Sequence, residues 1–309
     1  MSGAGYRAVF GLPLYNAPEH LAEALDSLLA QTRTDFAVVL VDDSSDESVA
    51  TIARRYAATD SRVVYERNAE RLGLTRNWRR AFERATQVAP DAEFFAWGSD
   101  HDWWHPRWLE ALTAQLDAHP EAAMAFPMSS RLVSDSIDWR SRPCRRPASL
   151  GSTEGVTSSR ELARTLRRSI HAGTAVYGLY RTEAVRRAGA FRHVLLADRL
   201  VLAEIAEQGP ILGVDETLWL RRVTTPFDMG RQRRACFPEG EPWYAGLVWW
   251  LPHAAAIAWY QGARRLRPRG IAAGAAYAWE CVTGDLERRL GTSVKQLRRA
   301  SRVRTEPGR

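Results

Sequence analysis

Four consecutive apolar residues, Val38-Val39-Leu40-Val41, run straight into Asp42 and Asp43. A short, mostly β-branched run that is apolar at every position reads as a strand buried on both faces, the kind found in parallel α/β sheets. The Ser44-Ser45-Asp46 turn follows, and Glu47 to Tyr56 then reads as a helix. A second run, Glu93-Phe94-Phe95-Ala96, leads into Trp97-Gly98-Ser99-Asp100-His101-Asp102-Trp103-Trp104-His105-Pro106. Both runs therefore place carboxylates at the C-terminal edge of a strand, where open α/β sheets bind ligands. Two carboxylates one residue apart suit a hard divalent cation, which in turn neutralises a diphosphate.

The flanking segments complete the pattern. Ala8 to Asn16 reads as a first strand that breaks at a Pro/Asn turn. Between Glu19 and Gln31 the apolar positions Leu21, Ala24, Leu25, Leu28 and Leu29 have the spacing of an amphipathic helix. Strand and helix alternate, with acidic residues where strands end, as in a nucleotide-binding half-sheet. No Gly-x-Gly-x-x-Gly opens the first helix, there is no Walker phosphate loop, and the one lysine is Lys295. The expected fold is a Rossmann-like, mostly parallel central sheet flanked by helices, with a C-terminal helical extension.

Leu-Pro-Leu-Tyr-Asn (12 to 16), Ser-Leu-Leu-Ala-Gln-Thr (27 to 32), Val-Asp-Asp-Ser-Ser-Asp (41 to 46) and Asn68 follow one another in order. Gly73 to Asn77, Asp100-His101-Asp102, Pro106, Ala197 to Glu204, Gly209 and Leu218 to Arg222 come after them. In that order the chain resembles the family-2 nucleotide-sugar glycosyltransferases of GT-A fold, over roughly residues 6 to 225. The resemblance implies residue roles. Pro13, Tyr15 and Asp43 would frame the nucleoside, with Asp43 facing the base, and Arg76 and Asn77 would lie near base or ribose. Asp102 would be the principal ligand of Mn2+ or Mg2+, with Asp100 on the ribose or assisting the metal. Asp198 matches the catalytic base, and Arg222 falls where a C-terminal loop approaches the diphosphate. It also implies an unknown acceptor, be it glycan, lipid-linked, peptide or small molecule.

Chemistry supports that division of labour. Transfer needs a stabilised leaving diphosphate, which a Lewis-acidic ion provides, and one carboxylate to take the acceptor's proton. Direct displacement of this kind inverts the anomeric centre. Plainer readings stand beside these: Ser44, Ser45 or Asp46 as helix cap, Asp198 as cap of a helix over Arg199 to Gln208, and Trp103 and Trp104 as core rather than acceptor face. A His101/His105 pair with Asp102 would suit a transition-metal hydrolase, but Pro106 and the order of motifs disfavour it. Where much of the family follows its Arg-Arg pair with a His, this chain has Val223-Thr224-Thr225-Pro226. The competing classes are a sugar-phosphate nucleotidyltransferase, which wants a Gly-rich loop after the first strand, and a nucleotide-sugar-binding module without catalysis.

Further elements are expected: helix from Ser159 to Arg168, strand from Ala175 to Tyr180 and helix from Arg181 to Ala188. The Arg- and Ser-rich stretch from Ser129 to Glu154 reads as a long loop, either a solvated surface or a contact for an anionic acceptor. Cys144, Cys236 and Cys281 offer neither a disulfide framework nor metal spacing. With the first strand starting so early, the expectation is a cytoplasmic enzyme.

Charge divides the chain at about residue 226, giving a catalytic region over 1–225 and a basic, Trp-rich helical region over 226–309. Residues 231 to 309 hold fifteen Lys/Arg against six Asp/Glu, so they carry +9 where the whole chain carries +7. From Pro242 to Ala263 no residue is formally charged, and Arg264-Arg265-Leu266-Arg267-Pro268-Arg269 follows. One reading of 242–269 is a helix lying at the inner face of a membrane. The other is a hairpin with Ile271 to Thr283, packed on the catalytic region or on a second subunit. No basic-aromatic motif for nucleic acid accompanies the charge.

Overall fold

A computed structural model describes residues 5–132, 152–168, 170–222, 228–246, 248–262, 270–284 and 286. The first half alternates β1 (Ala8–Leu14), α1 (Leu21–Leu29), β2 (Phe36–Asp42), α2 (Ser48–Thr59), β3 (Val63–Arg67), α3 (Leu74–Val88) and β4 (Phe94–Trp97). Next come β5 (Trp103–Trp104), α4 (Trp108–Ala118), β6 (Met124–Leu132), α5 (Ser159–Arg168), α6 (Ala172–Ala175), β7 (Leu179–Arg181) and α7 (Thr182–Ala188). Then follow α8 (Ala197–Ala206), β8 (Ile211–Arg222), α9 (Met229–Cys236), α10 (Trp250–Ile257) with a π turn over Ala258–Gly262, and a helix over 270–284, α11.

The described strands form one sheet in the order β3-β2-β1-β4-β7-β6-β8-β5. β3, β2, β1 and β4 are mutually parallel, whereas β7 runs antiparallel to both its neighbours and β5 antiparallel to β8. Strand order reverses at β1, whose two parallel neighbours are β2 and β4. Alternate residues of the all-apolar strands enter opposite layers. Val9, Val39, Val41, Phe95 and Trp97 pack on Ala81, Phe82 and Ala85 of α3, while Phe10, Leu12, Val38, Leu40 and Phe94 pack on α1 and α4. At about 25 cal/mol per Å2, this two-sided burial is the main stabilising contribution and explains why β1 and β2 carry no polar residue before their ends.

Three local expectations change. Residues 172–175 are helix α6, so the strand expected from Ala175 shrinks to β7, and the turn between them carries Tyr177. The stretch from Ser129 begins as strand, since β6 extends to Leu132, and Thr153 bonds to Ile211; Arg140, Arg142, Arg145 and Arg146 lie outside the described residues. Asp198 lies within the first turn of α8, whose cap position is taken by Leu196 in a left-handed conformation, φ 53°.

The C-terminal helices pack on the first 225 residues. Ala254 and Ile257 of α10 and Ala273, Tyr277 and Cys281 of α11 meet Leu200 and Ala203 of α8. His253, fully buried, ties the three together: its Nε2 donates to the Leu195 carbonyl at 2.6 Å, and its Nδ1 accepts from the Tyr277 hydroxyl at 2.9 Å. No described helix is long and apolar enough to cross a membrane.

Candidate active site

The two acidic pairs do different things at the sheet edge because successive strand residues face opposite ways. Asp42, fully buried, accepts from the Ser44 N–H at 2.9 Å and the Tyr65 hydroxyl at 2.8 Å, so its role is to shape the turn. Asp43 accepts from the N–H groups of Leu72 (2.7 Å) and Gly73 (2.8 Å) and from Asn68 Nδ2 (3.0 Å). Gly73 adopts φ +80° and a Cβ there would meet Pro238 at 2.6 Å, so the Asp43-bound loop tolerates only glycine. Ser44 and Ser45 hold Asn16, itself left-handed at φ 48°, which fastens the loop after β1 to the loop after β2.

The residues expected around a nucleoside sort accordingly. Pro13 lies beyond the last β1–β4 pair, Gly11 with Trp97, so its missing N–H costs that ladder nothing. Tyr15 is exposed beside it, with the Arg71 guanidinium 4.7 Å from its ring. Arg76 is half-exposed and ion-paired with Glu239 at 3.3 Å. Asn77 is buried instead: its Nδ2 donates to the carbonyls of Leu14 and Val41, and its Oδ1 accepts from Asn68. It therefore braces Asp43's partner from below rather than presenting its own amide to a ligand.

After β4, the acidic pair turns on Gly98 and Ser99. Asp100 accepts from His101 Nδ1 at 2.5 Å, and His101 Nε2 lies 3.9 Å from Asp102. Among the described residues neither aspartate has an arginine ion-pair partner, although both side chains are largely buried. Burial pushes Asp102 up to about 6, against the His101 charge and the Arg222 N–H that donates to it at 2.8 Å. For His101, burial is outweighed by the bond and charge of Asp100, which hold the imidazole above its ordinary value. His105 faces elsewhere, its Nδ1 accepting from the Arg107 N–H, so the two histidines do not converge.

Trp104 corrects an expectation. It is fully buried in the layer with α1 and α4, its N–H bonded to Ser27 Oγ, so no acceptor can stack on it. Trp103, half-buried, is the one of the pair that solvent reaches. β5 pairs these two residues with Leu220 and Trp219, which brings the end of β8 against the Asp100–Asp102 turn.

There the arginine pair divides. Arg222, expected on the diphosphate, is buried: Nη2 pairs with Glu23 of α1 at 2.5 Å and Nε donates to the His101 carbonyl at 3.2 Å. It is a brace for the Asp102 turn. Arg221 points the other way, half-exposed, with its guanidinium near Gly173 of α6. Among the described residues its side chain makes no hydrogen bond or ion pair, yet its charge acts on Asp102, His101 and Asp198. The adjacent Arg-Arg pair signalled it, but sequence alone could not rank the two.

Asp198 joins the same cluster from α8. Burial raises it above the ordinary carboxylate range, against the charge of Arg199, the N–H groups opening the helix and the charge of Arg221. Both acidic groups act on Tyr177, which sequence reasoning missed because it lay inside an expected strand. Its phenol is held well above its ordinary value by burial and then by the charges of Asp102, Asp100 and Asp198. Its ring packs on Trp219 (4.8 Å) and Trp78 (5.5 Å), which fixes it in place. The charges of three carboxylates and of Arg221 thus all act on one tyrosine. Left-handed Leu196, two residues before Asp198, stores about 1–3 kcal/mol of strain at that turn. A separate cavity of about 270 Å3 borders α8 through Arg199 and Leu202, with Trp249 and Tyr277 on its far wall.

The sequence pattern of Glycosyl transferase family 2 matches residues 10–189, more than half of the chain, and the protein belongs to that family. An uncharacterized protein of Mycobacterium tuberculosis is 33% identical over 131 residues, covering 42% of this chain and 38% of that one. The putative glycosyltransferase EpsE of Bacillus subtilis is 29% identical over 121 residues, covering 38% of this chain and 40% of its own length. The chain thus aligns with well under half the length of these relatives. Among solved structures, S. aureus TarS 1-349 in complex with UDP-GlcNAc superposes with a TM-score of 0.58 at 17% identity, covering 81% of this chain and 66% of that one. The mannosyltransferase PcManGT from Pyrobaculum calidifontis, in complex with GDP-Man and Mn2+, superposes at 0.51 and 18% identity, covering 94% and 80%. The fold is that of the GT-A glycosyltransferases.

Proposed function

We propose that the protein transfers a sugar from a nucleotide-diphosphate sugar to an acceptor hydroxyl with inversion at the anomeric carbon. What supports this reading is the end of β8 paired against the Asp100–Asp102 turn, together with Tyr177, packed on Trp219 and Trp78, which feels the charges of Asp100, Asp102, Asp198 and Arg221. Residues 1–225 would bind the donor and catalyse, and 226–309 would support them. The loops after β1, β2 and β3 offer a nucleoside the Tyr15 ring, the Asp43 carboxylate and Arg76.

Asp100 and Asp102 fit a divalent cation such as Mn2+ or Mg2+, being two hard oxygen donors on one turn with no arginine ion-paired to them among the described residues. Among the described residues no group of three or more His, Cys, Asp or Glu side chains is placed to hold one metal ion, so Asp100 and Asp102 are the two ligands those residues would offer. Bound there, the ion would supply Lewis acidity toward the leaving diphosphate. Arg221 adds a fixed positive charge toward the same developing anion. Asp198 accepts the acceptor's hydroxyl proton as its oxygen forms the new bond and the bond from sugar to diphosphate breaks. Its raised proton affinity suits a base, and a positioned base contributes about 10²–10⁴-fold.

The test is a thermal-shift screen of nucleoside diphosphates with and without Mn2+, followed by donor turnover with water or a sugar acceptor. A single nucleotide should raise the melting temperature, more so with metal, and Asp102→Ala should abolish the metal-dependent part. Asp198→Asn should keep the shift and lose turnover. An Asp198→Asn enzyme as active as the parent removes Asp198 as base, and absence of any nucleotide shift overturns the donor assignment.

A further inference from the structure

The outward faces of the two C-terminal helices are apolar at matching positions. On α10 and its π turn, Leu251, Ala255 and Trp259 are exposed at four-residue spacing, and on α11 Ile271, Ala275 and Trp279 repeat the pattern. The large ones keep about half their surface in solvent: Leu251 is 41%, Trp259 57%, Ile271 59% and Trp279 56% exposed. The opposite faces already have partners in α8, so the outward stripes are not a second core. The helices approach closely at Gly274, where a Cβ would meet the Ala254 carbonyl at 2.6 Å, and this holds them side by side as one surface.

Positive charge flanks this surface on its α5 side. Arg160 and Arg168 are exposed along α5, with Arg164 between them ion-paired to Glu280 of α11 at 3.6 Å, and Arg160 borders a shallow groove with Ala276 and Trp279. In sequence, the residues joining the two helices include Arg264, Arg265, Arg267 and Arg269. Exposed tryptophans in an apolar face flanked by the arginines of α5 match the polarity gradient of a bilayer interface, where indole rings sit at headgroup level and cations meet acidic lipids. A second copy of the chain would bring one arginine rim against another, which like-charge repulsion opposes.

We infer that α10 and α11 dock face-on against an anionic lipid bilayer, lying in its interface rather than crossing it. The inference is independent of the glycosyl-transfer reading, since none of these residues belongs to the acidic cluster.

The experiment is flotation of the full chain with vesicles of phosphatidylcholine alone or with roughly one part in three of phosphatidylglycerol. The protein should float with the anionic vesicles only, and binding should fall about tenfold at high salt. Trp259→Ser with Trp279→Ser should weaken binding by about tenfold or more while leaving the melting temperature unchanged, because both rings are exposed. Arg160→Glu with Arg168→Glu gives an independent reading, lowering anionic-vesicle binding with the tryptophans intact. No flotation with anionic vesicles overturns the inference. So does a dimer in solution that the tryptophan double variant converts to monomer without any change in flotation, which would make this face a contact between copies.

Discussion

The carboxylates at the sheet edge and the carboxylate on α8 are reached by different routes. Asp43, Asp100 and Asp102 follow directly from strands of the parallel half-sheet, and each is oriented by groups a few loops away: Leu72 and Gly73 for Asp43, His101 and the Arg222 N–H for the other two. Asp198 depends on a longer chain of support. Its turn is left-handed at Leu196, and the Leu195 carbonyl is held by His253 of α10, which in turn is bonded to Tyr277 of α11. Asp43 is held from within the half-sheet and Asp102 by the last residue of β8, whereas Asp198 depends on the docked C-terminal helices, so the two halves of the site should fail differently.

The largest expected effects separate the halves by chemistry. Asp102→Ala should lower turnover at least about a thousandfold and remove metal-dependent nucleotide binding. Asp198→Asn should lower turnover about 10²–10⁴-fold with nucleotide affinity kept. Equal loss of nucleotide affinity in both variants, measured by calorimetry, would erase the distinction. Because Asp198 acts deprotonated and its proton affinity is raised, activity should fall as pH drops through a value above the usual carboxylate pKa of about 4.

The arginine pair sharpens the contrast next. Arg221→Ala should reduce kcat/KM by about 10²-fold with an unchanged melting temperature. Arg222→Ala leaves Glu23 and the His101 carbonyl without their partner and should cost about 1–3 kcal/mol, a lowered Tm. The reverse pattern would exchange their roles.

His253 probes the downstream support. Burial pushes its imidazole down to about 4 from 6.5, with the Leu195 carbonyl opposing and Arg199 assisting. The unfolded chain therefore binds the proton first, between about 6.5 and 4. Stability from the neutral ring is complete above that window and is lost as pH falls through it, by up to about 3 kcal/mol. His253→Ala should flatten the acid limb of Tm against pH, lower Tm at neutral pH and leave nucleotide affinity intact. An unchanged acid limb would show that the ring does not govern it. The smallest effect is expected at Tyr15→Ala, which should weaken nucleotide binding several-fold, about 1 kcal/mol, with little change in Tm since the ring is exposed. A lowered Tm there would mean the ring with Arg71 braces the loop instead.

Much of the edge was legible from the chain alone. Uniformly apolar strands can only be buried on both sides, so β1, β2 and β4 announce themselves, and whatever polar residue follows must lie at their C-terminal rim. Helix α5 was readable to the residue because its apolar and charged positions alternate at helical period. The faces were not readable. That Arg221 and Arg222 point opposite ways is dictated by strand geometry, but which one meets the carboxylates depends on register. Pairing passes from Val214 on Pro127 to Trp219 on Ser129, so β8 gains three residues on β6, an odd number that switches which side each arginine faces. Trp104 and Tyr177 show the same limit. An aromatic residue beside a motif fits core and site equally, and only its surroundings in the fold, α1 and α4 for Trp104 and the charges of three carboxylates for Tyr177, decide between them. The sequence by itself determined a parallel half-sheet with acids at its rim, because hydrophobic pattern is a local property. The tertiary structure decided which side chains of the second half meet them, because bulges, left-handed turns and helix docking depend on contacts between residues far apart in the chain.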